Sequence, residues 1–393
     1  MDLLDFLNYR PQLPVLVLLI VCGAMLLVQL IYYFVVYGGM LRHIRKSKKR
    51  PIQPVTEKQG VSIVIVANNN GEALRDGLLQ FLEQDYETFE VVVVNENSSD
   101  DTEYVLFILK ENYPNLTVIN LGKNDNKFDS YKFSLSIGIR SAKYSNVLLT
   151  NVASKPKDFN WLSEMMNPVN SNQNIKITSG ICLREESKGL RKSIERYAQA
   201  RNYINLISFA LAGNTYSACG MNMIYDKDFF IRKSGFIPQY AISCNQEDYF
   251  VHRHSTKTNT AMVLNEHSFV WLPKYDSFST FVRMRVAEGF SHKVLAMKDR
   301  FLLTLNPLAA FLFYTFAGVL LVMGFPWQYI VVAVLVKWIS QIVIYKKCTN
   351  RLTIKKGWFF VPFMEIFFFF FDAVIKLKTL FYRKKEKKIR WDK

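Results

Sequence analysis

The residues able to do chemistry in this 393-residue chain sit behind apolar runs or inside them. NENSSDDT (95–102) crowds amides, carboxylates and hydroxyls directly after FEVVVV (89–94). Asn95 and Glu96 can accept hydrogen bonds from a ligand, and the same stretch also suits a turn that caps a helix starting near Thr102. Glu247 and Asp248 are adjacent carboxylates able to take up a proton, whereas Gln246 before them is not. Lys132, Arg283 and Arg285 are cations suited to anionic groups; a solvated surface lysine and lipid-headgroup contact are the plainer readings. Lys337 stands inside an apolar run with no acidic partner evident, so it reads as a bundle-facing or snorkelling lysine. Five cysteines (Cys22, Cys182, Cys219, Cys244, Cys348) lack C-x-x-C spacing, which indicates neither a zinc site nor a disulfide framework and fits a reducing compartment.

Strands and helices must position these groups. VSIVIV (61–66) is a short apolar run ending in the polar ANNNGE loop, after which Leu74, Leu78, Leu79 and Leu82 recur at helical spacing. FEVVVV gives a second strand, Leu116 to Leu121 a third and Asn146 to Leu149 a fourth, with a helix over Ser130 to Lys143 between the last two. Strands alternating with helices imply a mostly parallel sheet covered on both faces, and ligands of such sheets bind beyond the carboxyl ends of the strands. The loops after Val66, Val94 and Leu149 are therefore the ones that matter.

The rest of the composition belongs to a membrane. Half of the residues are hydrophobic, and the net charge of +17 is concentrated beside apolar runs, which favours anionic lipid headgroups as partners over nucleic acid. Leu13 to Leu41 carries no charge and is long enough to span, and Arg42, Arg45, Lys46, Lys48, Lys49 and Arg50 behind it place that end in the cytoplasm. Pro307 to Gly324 and Trp327 to Tyr345 form a second and third span. Trp358 to Phe381 contains Glu365 and Asp372 and precedes a basic tail from Arg383 to Arg390, so it is expected as a re-entrant or interfacial helix. The expected layout is an anchor and basic segment over 1–50, a cytosolic domain over 51–300 and a membrane region over 301–393, in the plasma (inner) membrane.

In this frame VSIVIVANNNGEALRDGLLQFLEQDYETFEVVVVNENSSDDT resembles the opening of the family-2 glycosyltransferases. KFDSYKFSLSIGIRSAKYSNVLLTNVASKP resembles their next block, and AGNTYSACGMNMIYDKDFF, NQEDYF and FVRMRVAEGF their acceptor-side segments, so the likeness covers most of residues 60 to 292. It implies the GT-A fold, a Rossmann-like α/β nucleotide-sugar-binding domain with a mostly parallel sheet, here flanked by transmembrane helices. It also implies roles. Asn95 and Glu96 occupy the acidic pair that holds uracil and ribose, and Lys132 matches a lysine facing phosphate. Asn151, Val152 and Ala153 stand where a D-x-D motif would ligate Mg²⁺ or Mn²⁺, so no metal cofactor is expected. Gln246 falls on the general base, with Glu247 or Asp248 able to serve if the register differs by one. Arg283 and Arg285 fall in the Q-x-x-R-W element, from which the Gln and Trp are missing.

Several elements thus lose their chemistry together. Two readings follow from the resemblance. In one, the chain is a glycosyltransferase-like binding or scaffold subunit of polysaccharide or lipid-linked glycan assembly, beside an active transferase. In the other, it is an active, metal-independent transferase that uses Lys132, Arg283 and Arg285 against the phosphates of a nucleotide sugar. An unrelated α/β domain on a membrane anchor is a third reading.

Overall fold

The computed structural model describes residues 12–47, 58–122, 130–240, 246–292, 294–354, 356, 358 and 360–391; the side chains of residues 47, 190, 246–248 and 382–391 lie outside the described set. Helix α1 (Leu13–Ile31) runs through a π-helical turn (Tyr32–Tyr37) into α2 (Gly38–Ser47). The wider π turn brings three tyrosines inward, all buried. Lys48, Lys49 and Arg50 of the expected basic cluster lie outside the described residues.

The sheet follows. β1 (Val61–Ala67) is buried at every residue, as a β-branched strand covered on both faces should be. Then come α3 (Gly71–Gly77), α4 (Leu79–Leu82), β2 (Phe89–Glu96), α5 (Thr102–Asn112), β3 (Leu116–Leu121), α6 (Ser130–Ser141), β4 (Asn146–Asn151) and β5 (Lys155–Pro156). α7 (Trp161–Ser171), β6 (Ile177–Ser179), β7 (Cys182–Arg184), α8 (Gly189–Leu211), β8 (Met223–Asp226) and α9 (Lys227–Arg232) continue the chain. α10 (Gln246–His254), β9 (Thr260–Met262), β10 (Val270–Leu272) and α11 (Phe278–Ser291) complete the α/β part. Among the described residues a seven-stranded sheet has the order β3-β2-β1-β4-β8-β6-β9, and β5, β10 and β7 form a three-stranded one. In the larger sheet β8 alone runs antiparallel to its neighbours, so the expected mostly parallel α/β sheet is what the chain forms.

Strand alternation sorts the core into two layers. Ile63, Ile65, Ala67, Val91, Val93 and Leu148 pack with Leu74, Phe81, Leu106 and Trp161 of the helices on one face. Val64, Val66, Val92, Val94, Val147 and Leu149 pack with Leu135 and Ile139 of α6 on the other. α6 can come this close because Gly138 has no side chain: a Cβ there would lie 2.5 Å from Val64 Cγ1 and 2.9 Å from Val94 Cγ2.

The C-terminal helices are α12 (Met297–Val322), α13 (Trp327–Arg351) and α14 (Val361–Trp391). Among the described residues three helical runs are long and apolar enough to cross a membrane, Leu13–Lys46, Met297–Val322 and Trp327–Arg351. These correspond to the three expected spans, though the second starts ten residues earlier, at Met297 instead of Pro307, with Pro307 accommodated inside the helix, and ends at Val322, two residues short of Gly324. The chain divides into two compact units, one of Met1–Arg45, Gly189–Ser208 and Ala296–Lys393 and the other of Lys46–Lys188 and Phe209–Leu295.

Two sequence expectations are corrected. Lys337 is fully buried and has an acidic partner, Glu365 of α14, which the sequence separates from it by 28 positions. Cys182 on β7 and Cys219, 37 residues on, form a disulfide, because the segment before β8 returns alongside β7. Irregular cysteine spacing carries no information on such a long-range approach.

Candidate functional site

Strand order fixes where a ligand would go. From β1 the sheet grows through β2 to β3 on one side and through β4 on the other, so the switch in direction lies between β1 and β4. The loops behind β1, β2 and β4 flank it.

The first two loops are stitched together. Asn68 Nδ2 donates to the Glu96 carbonyl at 2.6 Å, Asn69 Oδ1 accepts from Ser99 N at 2.8 Å, and Asn70 N donates to Thr102 Oγ1 at 2.9 Å. Asn69 and Asn97 both hold positive φ, 51° and 47°, which asparagine tolerates better than most residues. Asp100 accepts from Gly71 N and Thr102 N, each at 3.1 Å. Its bond with the Thr102 side chain, aided by those N–H groups, holds its carboxyl below the usual carboxylate value. The helix cap expected in NENSSDDT is therefore supplied by Asp100, since Asp101 at the N-cap makes no side-chain cap bond. Asp101 instead pairs with Arg75 at 2.7 Å. Gly71 is required at its position: a Cβ would fall 1.8 Å from Asp101 Oδ1.

The candidate ligand-binding residues divide by the pleat. Neighbours on a strand point to opposite faces, so Asn95 belongs with Val91 and Val93, and Glu96 with Val92 and Val94 on the α6 side. Asn95 and Glu96 thus start from opposite faces of the sheet at the carboxyl end of β2. Asn95 is buried, its Nδ2 donates to Asn120 Oδ1 at 3.0 Å, and its Oδ1 has no hydrogen-bond partner among the described residues. Glu96 Oε1 accepts from Ser130 Oγ at the start of α6. Lys132, two positions further along α6, is 1% exposed and donates to the Gln239 carbonyl at 3.4 Å. It is not the solvated surface lysine that was one sequence reading. Asn151 lies on the same face as Leu149, toward α6, and is half-buried. Glu96, Ser130 and Asn151 therefore share one side of the strand ends, Asn95 lies on the other, and Lys132 is turned toward Gln239. Ser130 and Asn120 were not singled out in the sequence; only the tertiary contacts mark them.

At the D-x-D position the Asn151 side-chain oxygen accepts from Ala153 N at 2.9 Å, a two-residue turn closed on itself. Ala153 offers no side-chain donor atom. A hard divalent cation needs several oxygens, preferably charged, so this donor set does not fit the Mg²⁺ or Mn²⁺ that the resemblance would bring. Gln246, Glu247 and Asp248 are the first three residues of α10, and their side chains are outside the described set. On α11, Arg283 is exposed and bonds Thr280 Oγ1 at 3.1 Å, while Arg285 is mostly buried and pairs with Glu288. Two positions on a helix differ by roughly 200°, so the two arginines present opposite sides.

The pattern that defines glycosyl transferase family 21 matches residues 21–393, nearly the whole chain, membrane helices included. The chain belongs to glycosyl transferase family 21. Its sequence is also similar to poly-β-1,6-N-acetyl-D-glucosamine synthases: 31% identical over 121 residues to the one from Staphylococcus aureus (strain COL), which is 30% of this chain and 28% of that enzyme. The synthase of Staphylococcus epidermidis is 26% identical over 118 residues, 30% of this chain and 26% of its own. The chain thus spans just over a quarter of the length of these relatives. A mannosyltransferase of Pyrobaculum calidifontis, solved with GDP-Man and Mn²⁺, superposes with a TM-score of 0.56 over 91% of this chain and 99% of its own, at 16% identity. That likeness shows the fold, a glycosyltransferase-like α/β domain with the helices that accompany it. The family-2-like recognition stands, and at the position read as D-x-D this chain carries Asn151, Val152 and Ala153.

Proposed function

We propose that this family 21 protein takes part in polysaccharide or lipid-linked glycan assembly at the plasma (inner) membrane, with residues 51–300 as a cytosolic domain, and that its own transfer chemistry is weak or lost. In this reading it binds a nucleotide sugar, or the nucleotide part alone, and serves as a binding or scaffold subunit beside an active transferase. The observation that carries the reading is the Asn151–Ala153 turn. Where a metal would offset the charge of a departing nucleotide diphosphate, an amide oxygen is spent on the chain's own backbone at 2.9 Å. The loops around it support retention of polar groups beside the strand ends, since Ser130 donates to Glu96 there.

The test is hydrolysis of UDP- and GDP-sugars to free nucleotide diphosphate by the detergent-solubilised full chain, with calorimetry of UDP and GDP alongside. Nucleotide binding with negligible hydrolysis is the expected result. The variant Asn151→Asp, Ala153→Asp, Gln246→Asp should gain metal-dependent nucleotide binding, because base and metal act as a unit and neither alone lowers the barrier. Substantial hydrolysis by the unmodified chain, abolished in Glu247→Gln or Asp248→Asn, would overturn the reading in favour of a divergent, metal-independent transferase.

A further inference from the structure

Within the membrane unit, α12 and α14 enclose a partly open cavity of about 250 Å³, lined on one side by Pro307, Ala310 and Phe311 and on the other by Ile366, Phe369 and Phe370. Its polar wall atoms come from Tyr314, Thr315 and Glu365.

Each of those polar groups is already engaged. The carboxylate of Glu365 receives Lys337 on one oxygen and Tyr33 OH, at 3.2 Å, on the other. The Tyr314 hydroxyl accepts from Lys337 at 3.0 Å and from Trp338 Nε1 at 2.9 Å, and Thr315 donates to the Phe311 carbonyl at 2.9 Å. A water held in a protein cavity needs two to four polar partners, and this wall has few to spare. Lys337 neutralises Glu365, so the cavity presents no net charge to a phosphate or an ammonium group either. What remains is an apolar slot with phenyl walls, at which Ile366 and Phe370 are 39% and 58% exposed. It flanks α12, a helix long and apolar enough to cross a membrane.

We propose that this slot is a lipid site, taking one hydrocarbon chain of a bilayer glycerophospholipid between α12 and α14. The chain completes the contacts that the phenyl rings lack on their open side and keeps water from the Lys337–Glu365 pair. The headgroup makes no specific contact in the slot, because no uncommitted charge lies there. This site is independent of the nucleotide chemistry proposed above and would persist if that reading failed.

The experiment uses the full chain in phospholipid nanodiscs doped with a glycerophospholipid that bears a photoactivatable diazirine midway along one acyl chain. Adducts are mapped by peptide mass spectrometry. The expected result is labelling of Phe311, Ile366 and Phe370 several-fold above Val331 and Val332, which are 42% and 59% exposed on α13 and serve as a measure of ordinary annular lipid. Ala310→Phe, whose ring would fill the slot, should remove the excess and leave Val331 and Val332 unchanged; Ala310→Leu should give an intermediate loss. Groove labelling no denser than at Val331 and Val332 in the unmodified protein would mean annular lipid only and overturn the site, whatever the variants do. So would preferential groove labelling by a small water-soluble diazirine, which would show the slot to be hydrated.

Discussion

The ammonium of Lys337 on α13 and the carboxylate of Glu365 on α14 form a buried ion pair, with side chains 0% and 8% exposed. Seven positions further along α14, two helical turns and hence nearly the same face, Asp372 receives Arg201 of α8 at 2.6 Å. Both acids that made the last apolar run look unsuited to a membrane are thus neutralised by cations from other helices. Removing one partner of a buried pair strands the other charge. Lys337→Met or Glu365→Gln alone should destabilise the protein by about 3–5 kcal/mol, while Lys337→Met with Glu365→Leu should recover most of the loss. Thermal unfolding in detergent, comparing the singles with the double, checks this; additive losses would contradict it.

Nucleotide binding should be nearly indifferent to Mn²⁺. With Asn151 engaged by Ala153 N and no carboxylate at the motif, nothing couples ion to diphosphate. Calorimetric Kd values for UDP and GDP with and without the ion should agree within about tenfold, or about 1.4 kcal/mol. A larger gain would place a metal site elsewhere in the pocket.

Acid should weaken the α/β unit through His254. Its ring packs against Phe250 at 4.9 Å and Phe229 at 6.4 Å, and burial, followed by the charges of Lys233 and Arg253, lowers its pKa below 6.5. The unfolded chain therefore binds the proton more readily than the folded one. This contribution is intact above the unfolded value of about 6.5 and is lost as the pH falls through the lower, folded value. Melting temperatures from pH 8 to pH 5 should fall more steeply for the wild type than for His254→Gln; parallel curves would exclude the effect.

Gly138→Ala should test how α6 holds Lys132 and Ser130 over the strand ends. Its Cβ would meet Val64 and Val94 at 2.5 and 2.9 Å, within the sheet core, so α6 must lift or the valines must shift. Overpacking of this kind costs about 1–3 kcal/mol. Nucleotide affinity should fall along with stability, whereas Gly318→Ala, with nothing near its Cβ, should leave both unchanged.

Apolar runs and their spacing, read from the sequence alone, fixed the strands over 61–66, 89–94 and 116–121, the helix from Ser130 and the three spans, because those patterns are local and repeat with the period of the element they form. The resemblance also led to the expectation that Asn151 and Ala153 hold no metal, which rests on side-chain type alone: an amide oxygen and a methyl group are poor donors for a hard cation. Local reading could not pair Lys337 with Glu365 or Cys182 with Cys219, nor see that Lys132 is buried. Those contacts join segments far apart in the chain, and no periodicity encodes them. Nor could local reading show which polar groups Asn95 and Glu96 meet, Asn120 for the one and Ser130 for the other, on opposite faces of β2. Residue type and local pattern determined the α/β class and the candidate spans, and the order of the motifs carried the resemblance to the glycosyltransferases. The packing of helices on the sheet and on one another decided which polar groups meet, because burial and charge pairing depend on distance in space and not on distance along the chain.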